Sequence, residues 1–251
     1  MRAGGGVFKQ TTTKKDIFPH NQHHYNYNYN MKLIIIKTNL KEGLSVIERA
    51  GAENQNLPIL KNFLLEAIEN KIRVTATNLE IAASATISGK IIEEGRTSVP
   101  ISVFSSLLNN LQSERLNLEK KGDGLNIKTD NYEATIQGLS ADEFPIIPKL
   151  KNPANHISVK TELFKEALGQ VLLAAQFSDL RPELNSVFFD YSLDALRLVA
   201  TDSSRLAEKT IQKNQIEADN APGFKFLLPL KTSQELLRIL KDGETLKIYH
   251  D

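Results

Sequence analysis

The stretch that decides the fold is RPELNSVFFDYSLDALRLVATDSSRLA, which runs from Arg181 to Ala207. An earlier stretch, LPILKNFLLEAIENKIRVTATNLEIAA from Leu57 to Ala83, shows the same pattern at an offset of 124 residues. Self-similarity at a long fixed offset is the signature of a duplicated structural unit. The matching pairs are Pro58 with Pro182, Leu60 with Leu184, Thr77 with Thr201 and Ala83 with Ala207.

The similarity continues on both sides of this stretch. Upstream, Thr38–Leu44 matches Thr161–Leu168, and downstream Val99–Leu111 matches Leu228–Leu240 at an offset of 129. Four blocks in the same order predict a tandem duplication with repeats of about 124 residues, within the usual size of a domain. Such a second repeat would extend beyond Asp251, so the sequence predicts that this copy is incomplete and that a third repeat is absent.

Composition excludes several classes of protein. The chain has no cysteine, which excludes disulfides, thiolate metal sites and a cysteine nucleophile and fits a cytoplasmic location. No apolar run approaches the roughly 18 residues of a membrane helix, so no membrane partner is expected. Residues 1–30 hold four basic residues and one acidic residue, which leaves 27 basic and 29 acidic residues in the remainder. A simple polycation that binds nucleic acid is therefore excluded, and any DNA contact must come from the placement of the charges.

The sequence predicts three segments. Residues 1–30 are polar and of low complexity, which predicts a disordered tail. The chain has two methionines, Met1 and Met31, and the repeat begins directly after Met31, which we interpret as the start of the folded protein. We therefore expect a first repeat over residues 31–150 and a truncated second repeat over residues 151–251.

Hydrophobic periodicity predicts an α+β fold. Each repeat is expected to consist of two halves, each a strand, a helix and three further strands. Capping residues predict three of the helix starts, at Asn39 with Glu42, at Thr161, and at Thr232 with Glu235. In the last helix Gln234, Arg238 and Lys241 recur on one polar face, which is either a solvated surface or a basic contact face.

The sequence shows no catalytic site. Asp202-Ser203-Ser204 contains hydroxyl groups, but no histidine or well-placed lysine lies near it in sequence to activate a serine. A loop whose hydroxyl groups bond to the backbone is the simpler interpretation. The corresponding loop of the first repeat is Asn78-Leu79-Glu80-Ile81. Repeats diverge where one copy acquires a function, so the loop at Asp202 is either a site of the second repeat or neutral drift.

Several blocks together resemble one family: MKLIIIKTNL, LPILKNFLLE, TATNLEIA, GLSADEFPIIP, RPELNSVFFD and VATDSSRLA. The chain from Met31 onward resembles the bacterial DNA polymerase III beta subunits, the DNA sliding clamps, and looks like a fragment holding the first two of their three repeats. The resemblance implies a DNA-clamp fold with sheets outside and helices inside. It also implies a ring formed by a homodimer of full-length subunits. Such a ring is a non-catalytic processivity factor that encircles double-stranded DNA, needs no cofactor or metal, and works in the cytoplasm.

The resemblance implies two sets of contacts. The partners would be double-stranded DNA, the DNA polymerase III catalytic subunit, the clamp loader and other proteins with a clamp-binding motif. The candidate DNA-facing residues are Lys41, Arg49, Lys165, Lys231, Arg238 and Lys241. The candidate walls of the partner-peptide pocket are Arg181, Leu184, Thr201, Ser203, Ser204, Arg205 and Leu206. Some relatives have Gly-His where this chain has Ser203-Ser204, so the rim of the pocket differs.

A second hypothesis remains beside the clamp. The same repeat could serve as an interaction module that does not close a ring, and a hydrolase is a distant third. A clamp predicts retention on circular DNA that is lost when the circle is cut, whereas an interaction module predicts no dependence on DNA topology.

Overall fold

The computed structural model of the chain describes residues 30–51, 57–150, 155–178, 181–192, 195–219 and 221–250, and the backbone of residues 6–11, which form strand β1 (Gly6–Thr11). The chain divides into two compact units. One unit contains residues 20–147, and the other contains residues 148–251 together with residues 1–19. Each unit has its own hydrophobic core.

The first repeat begins with a strand of β-branched residues and alternates strands with two helices. Its elements are β2 (Lys32–Ile36), α1 (Lys37–Ile47), β3 (Asn62–Ile68), β4 (Lys71–Thr77), β5 (Ala82–Ile87), β6 (Gly89–Glu93), β7 (Gly95–Pro100), α2 (Ile101–Asn110), β8 (Arg115–Lys121), β9 (Gly124–Lys128) and β10 (Glu133–Ile136). They form two antiparallel sheets, ordered β5-β4-β3-β7 and β10-β9-β8-β2-β6. A hairpin joins β8 and β9, with Gly122 at a positive φ in its turn.

The second repeat repeats this plan. Its elements are β11 (His156–Lys160), α3 (Thr161–Leu172), β12 (Ser186–Ser192), β13 (Ala195–Thr201), β14 (Leu206–Ile211), β15 (Ile216–Asp219), β16 (Phe224–Pro229), α4 (Leu230–Ile239) and β17 (Thr245–His250). One sheet has the order β14-β13-β12-β16, which matches β5-β4-β3-β7 strand for strand. The predicted α+β class with repeated strand and helix halves is confirmed.

Each core is built from alternate residues of the strands and one stripe of each helix. In the first repeat Leu40, Leu44 and Ile47 of α1 are buried against the sheets, as their spacing predicts. In the second repeat Phe164 of α3 and Phe189 of β12 lie in the core with ring centroids 6.1 Å apart. The loops that carry candidate functions therefore connect strands whose inner side chains pack in a hydrophobic core.

The starts of the helices differ from the sequence prediction. No side chain caps α1, α3 or α4, and α1 and α4 begin two residues before the predicted capping residues. The first backbone N–H groups bond instead to carbonyl groups elsewhere: Lys37 to Glu114 at 2.7 Å, Thr161 to Glu244 at 3.1 Å, and Leu230 to Asn185 at 3.0 Å. Because tertiary contacts satisfy these donors, a capping side chain is not needed.

The tail also differs from expectation. Strand β1 pairs antiparallel with β17, so the second sheet of this unit is ordered β1-β17-β11-β15. The prediction of a disordered tail is therefore wrong for Gly6–Thr11, because the edge of β17 offers backbone groups that this segment bonds. For the rest of residues 1–29 the prediction lies outside the described residues.

Candidate functional site

The loop between β13 and β14 is a tight turn held by its own side chains. The Thr201 hydroxyl donates to the Arg205 carbonyl at 2.6 Å and accepts from the Ser203 N–H at 3.1 Å. Asp202 Oδ1 accepts from the N–H groups of Ser204 and Arg205 at 2.9 and 2.7 Å. Ser203 has a φ of 76°, in the left-handed region. Thr201 and Asp202 thus hold the turn through its backbone groups, and the interpretation that the Ser203 and Ser204 hydroxyl groups bond to the backbone stays a prediction.

Asp202 also holds the side chain of Arg205. Its Oδ2 lies 2.9 Å from Arg205 Nε and 2.8 Å from Nη2. The hydrogen bond from the Arg205 N–H, followed by those from its guanidinium group and the Ser204 N–H, lowers the pKa of Asp202 from 3.8 to about 2. The carboxylate therefore stays ionised at neutral pH and fixes the guanidinium group at the rim of the loop.

A second segment lies beside this loop. Residues 182–184 form a 3-10 helix that leads into β12, and β12 starts at the same end of the sheet at which β13 finishes. The Leu184 N–H donates to the Arg181 carbonyl at 3.0 Å. Arg181 Nη1 reaches Ser203 Oγ at 3.5 Å, which links the two segments. The structure therefore brings the predicted pocket residues together: Arg181, Leu184, Thr201, Ser203, Ser204, Arg205 and Leu206.

Exposed apolar side chains occur in this group and in the segment that follows α3. Leu206 is 68% exposed, although it begins a strand. Leu173 and Phe177, which follow α3, are 75% and 67% exposed, and the neighbouring Gln176 N–H bonds to the Leu184 carbonyl at 3.4 Å. The sequence patterns did not point to Leu173 and Phe177. Both residues could have been recognised from the sequence, because they are large apolar residues directly after the buried stripe of α3.

The corresponding surface of the first repeat is covered. Leu60, the counterpart of Leu184, is only 1% exposed. It belongs to a small separate cluster with Ala141 and Phe144, against which Leu139 and Ile147 pack. The segment that follows β10 therefore covers this surface in the first repeat. Residues 155–250 do not include the corresponding segment of the second repeat, and Leu206 is exposed there. An exposed apolar patch with a polar rim is typical of a binding surface.

The six basic candidates lie on or beside the helices. Lys41 lies on α1, Arg49 just beyond it, Lys165 on α3, Lys231 and Arg238 on α4, and Lys241 just after α4. Lys165 and Arg238 lie in ion pairs that the sequence did not predict: Lys165 Nζ is 2.7 Å from Asp242, and Arg238 Nε is 2.8 Å from Glu235. Lys231 lies inside α4 rather than before it, because the helix begins at Leu230.

Other kinds of site find no support in the described part of the chain. Among those residues there is no cluster of three or more His, Cys, Asp or Glu side chains that could hold a metal ion. None of the helices described there is long and apolar enough to cross a membrane. The candidate functional surface is therefore the patch around Thr201–Leu206, with the basic helices as a second feature.

Comparison with known proteins identifies the family of the chain. The beta sliding clamp of Proteus mirabilis is 30% identical over 223 residues, which are 86% of this chain and 58% of that protein. The DNA polymerase III beta subunit of Thermotoga maritima is 29% identical, with a TM-score of 0.71 over 88% of this chain and 64% of that one. The Bacillus subtilis sliding clamp shares the fold with a TM-score of 0.79 at 23% identity, over the same shares of the two chains. The chain thus spans less than two thirds of these relatives.

The family assignment rests on both repeats. Residues 31–148 match the sequence model of the N-terminal domain of the DNA polymerase III beta subunit. Residues 158–250 match that of the central domain of the same subunit. Two consecutive domains of one family, in the family's order, coincide with the two repeats that the sequence and the structure show. The chain belongs to the DNA polymerase III beta subunit family.

Proposed function

We propose that this chain supplies two repeats of a DNA sliding clamp, a non-catalytic processivity factor that encircles duplex DNA and tethers the replicative polymerase. The observation that carries the proposal is the match of both repeats, in order, to the first two domains of the beta subunit. The name shared by the relatives, beta sliding clamp, supports it. A closed ring requires further repeats, which we assign to a homodimer of full-length subunits.

The charge distribution suits a protein that slides. The chain has a formal net charge of +1, so attraction to DNA must be local rather than global. The basic residues on α1, α3 and α4 would meet phosphates through flexible side chains, without reading bases. The ion pairs of Lys165 and Arg238 reduce the net positive charge at two of these positions. Weak, exchangeable phosphate contacts hold DNA without fixing its position.

The exposed patch of the second repeat suits a linear peptide. Leu184, Leu206 and Phe177 would contact apolar side chains of the peptide, and the guanidinium groups of Arg181 and Arg205 would bond its carbonyl oxygens. Arg205 is held in place by Asp202 before any partner binds, which lowers the entropic cost of binding. The partners we assign to this patch are the DNA polymerase III catalytic subunit, the clamp loader and other proteins that carry a clamp-binding motif.

Retention on DNA of different topology tests the proposal. The chain, within its full-length subunit, is loaded on nicked circular DNA by a clamp loader with ATP, and the DNA is then separated by gel filtration. A clamp co-elutes with the circle and is released when a restriction enzyme linearises it. Equal retention on circular and linear DNA at matched salt would favour the interaction module over the clamp.

Charge reversal tests the DNA-facing residues. Arg238→Glu together with Lys241→Glu should weaken loading and reduce the dependence of binding on salt by about one unit of slope for each phosphate that the variant no longer neutralises. The matched control is Lys90→Glu on β6 with Lys149→Glu, two exposed residues outside the helices. If both pairs reduce loading equally, net charge rather than placement is responsible, and the helical residues lose their assigned role.

A further inference from the structure

The two helices of the second repeat carry opposite charges. Helices α3 and α4 pack against each other within one compact unit. The sequence of α3 contains Glu162, Glu166 and a single basic residue, whereas α4 contains two basic residues and one acidic residue. Lys241 adds a further positive charge shortly after the end of α4. A duplex that met both helices would therefore meet two different electrostatic environments.

The outward face of α3 has no basic group that is directed to solvent alone. Residues at helical spacing form this face, and each is exposed or half-buried: Glu162, Lys165, Glu166, Gly169, Gln170 and Leu173. Lys165 is the single basic residue in the sequence of α3. Its Nζ lies 2.7 Å from Asp242 Oδ1, and its side chain is only 27% exposed. The positive charge of this face is therefore paired within the protein.

The two carboxylates of α3 lie at its surface. Glu162 Oε1 accepts from the Gly243 N–H, and hydrogen bonds from its own N–H and from that of Gly243 lower the pKa of Glu162. Glu166 is 58% exposed and accepts from Gln170 Nε2 at 3.1 Å. Lys209 Nζ lies 3.6 Å from Glu166 Oε1, a distance and exposure at which an ion pair contributes little. Both carboxylates therefore present negative charge to solvent.

Gly169 leaves the middle of this face without a side chain. A Cβ atom at this position would meet no atom within 4 Å, so packing does not require a glycine there. Glycine in a helix interior is also less favourable than most other residues. The face thus has room for a basic side chain and does not carry one.

The outward face of α4 is basic. Lys231, Gln234 and Arg238 are exposed and recur at helical spacing, so they lie on one side of the helix. Lys231 and Arg238 lie about two turns apart, which is about 10 Å along the helix axis. Glu235 lies 2.8 Å from Arg238 Nε, but Lys231 and Lys241 keep the net charge of this face positive.

We propose that contact with DNA in the second repeat is one-sided: α4 contacts phosphates, and Glu162 and Glu166 keep the duplex away from α3. The inference rests on the proposed clamp function and assigns a positioning role to the two carboxylates. Repulsion extends over about 10 Å at an ionic strength of 0.1 M, which is similar to the diameter of a helix. Lys165 is then an internal partner of Asp242 rather than a DNA contact. Fewer phosphates are neutralised in this arrangement, so the contact stays weak and exchangeable.

The salt dependence of DNA binding tests this inference. The full-length subunit is titrated onto a short linear duplex and binding is followed by fluorescence anisotropy, so that affinity is measured without topological linkage. Glu166→Lys should steepen the dependence of log K on log salt by about 0.9, the value for one additional phosphate contact. Glu166→Gln removes the repulsion without adding a contact and should tighten binding about twofold at low salt and not at high salt.

A second variant adds charge without removing a carboxylate. Gly169→Lys places a basic side chain in open space on the same face and should change the slope by less than Glu166→Lys, because Glu162 and Glu166 still repel the duplex. An equal change in slope would mean that the duplex already reaches α3, which would overturn the inference. Thermal unfolding of each variant shows that the fold is retained.

The matched control is Glu93→Lys on β6, an exposed position outside the helices. It makes the same change in charge and should leave the slope as it is. Equal steepening by Glu93→Lys and Glu166→Lys would show that net charge is responsible and would overturn the inference. An unchanged slope in Glu166→Lys, together with weaker binding in the variant that combines Arg238→Glu and Lys241→Glu, would overturn the role of α3 and leave the DNA contact of α4 standing. If that combined variant also binds as the unmodified chain does, the proposed DNA-facing residues and this inference both fail.

Discussion

The loops Thr77–Ile81 and Thr201–Arg205 have the same backbone and different side chains. Their left-handed residues, Leu79 and Ser203, have φ of 75° and 76°. In both loops a threonine hydroxyl donates to the carbonyl group four residues on, at 2.7 and 2.6 Å. In both, an Asn or Asp oxygen accepts two N–H groups at 2.7 to 2.9 Å. The turn is therefore a structural feature of both repeats and does not by itself indicate a function.

The difference lies in what surrounds each turn. In the first repeat the chain's own segment from Leu139 to Ile147 covers Leu60, whereas the described residues around Leu184 include the exposed Leu173, Phe177 and Leu206. In the second repeat Asp202 also binds the Arg205 guanidinium group, where the first repeat has Asn78 and Ile81. The comparison teaches that the same turn is packed against the chain in the first repeat, whereas we propose that it borders a binding surface in the second.

The largest expected effect is on partner binding. Leu206→Asp should weaken binding of a peptide that copies the clamp-binding segment of the polymerase by about 100-fold, or about 2.7 kcal/mol, because a carboxylate replaces an apolar contact. Fluorescence anisotropy of the labelled peptide measures this. Ala82→Asp, at the same position of the first repeat, should have little effect. If both variants lose binding equally, the two surfaces do not differ in function.

A smaller effect is expected on stability. Thr77→Val keeps the shape of the side chain but removes two hydrogen bonds from a residue that is only 2% exposed, so it should lower the free energy of unfolding by about 1–3 kcal/mol. Thr201→Val removes the same two bonds at a half-buried position and should cost less, since water can replace them. Urea denaturation of both variants measures the difference. A larger loss of unfolding free energy for Thr201→Val than for Thr77→Val would mean that burial does not determine how strongly these hydrogen bonds stabilise the turn.

The left-handed residues predict a still smaller, opposite effect. Ser203→Gly and Leu79→Gly should each stabilise the fold by about 0.5–1 kcal/mol, because glycine adopts a positive φ without steric cost. Thermal unfolding of each variant is the measurement. Since the two φ angles agree, the two gains should agree as well. A clearly smaller gain for Ser203→Gly would show that the hydrogen bond from Arg181 to the Ser203 hydroxyl contributes to stability.

Elements that depend mainly on neighbouring residues could be predicted from the sequence. The β-branched run Lys32–Ile36 indicates the strand that β2 forms, and the repeat offset locates the loop at Asp202 because both copies retain its threonine. The starts of α1 and α4 lie two residues before the predicted caps, because carbonyl groups distant in sequence satisfy their first N–H groups. The cover of Leu60 and the pairing of β1 with β17 depend on residues that are far apart in the chain. The hydrophobic periodicity of one segment does not indicate which distant segment it will pair with.

The smallest expected effect is a difference in acid stability between the loops. Because hydrogen bonds lower the folded pKa of Asp202 from 3.8 to about 2, this carboxylate stabilises the fold above pH 3.8. That contribution is lost as the pH falls from about 3.8 to about 2, where the folded protein must also take up the proton. Asp202→Asn keeps an oxygen that can accept from Ser204 and Arg205, as Asn78 does from Glu80 and Ile81, but it cannot titrate. Urea midpoints of the variant should therefore vary less with pH between about 5 and 2 than those of the unmodified chain.

The reverse substitution completes this comparison. Asn78→Asp places a carboxylate in the same turn of the first repeat, where Ile81 provides no guanidinium group. Its pKa should be lowered by the two N–H groups alone, so the added pH dependence should begin at a higher pH than that of Asp202. NMR titration of the two carboxyl groups in the same protein measures both values. Equal pKa values would show that the N–H groups of the shared turn account for the whole shift and that Arg205 contributes nothing to it. The electrostatic difference between the two loops at this position would then disappear.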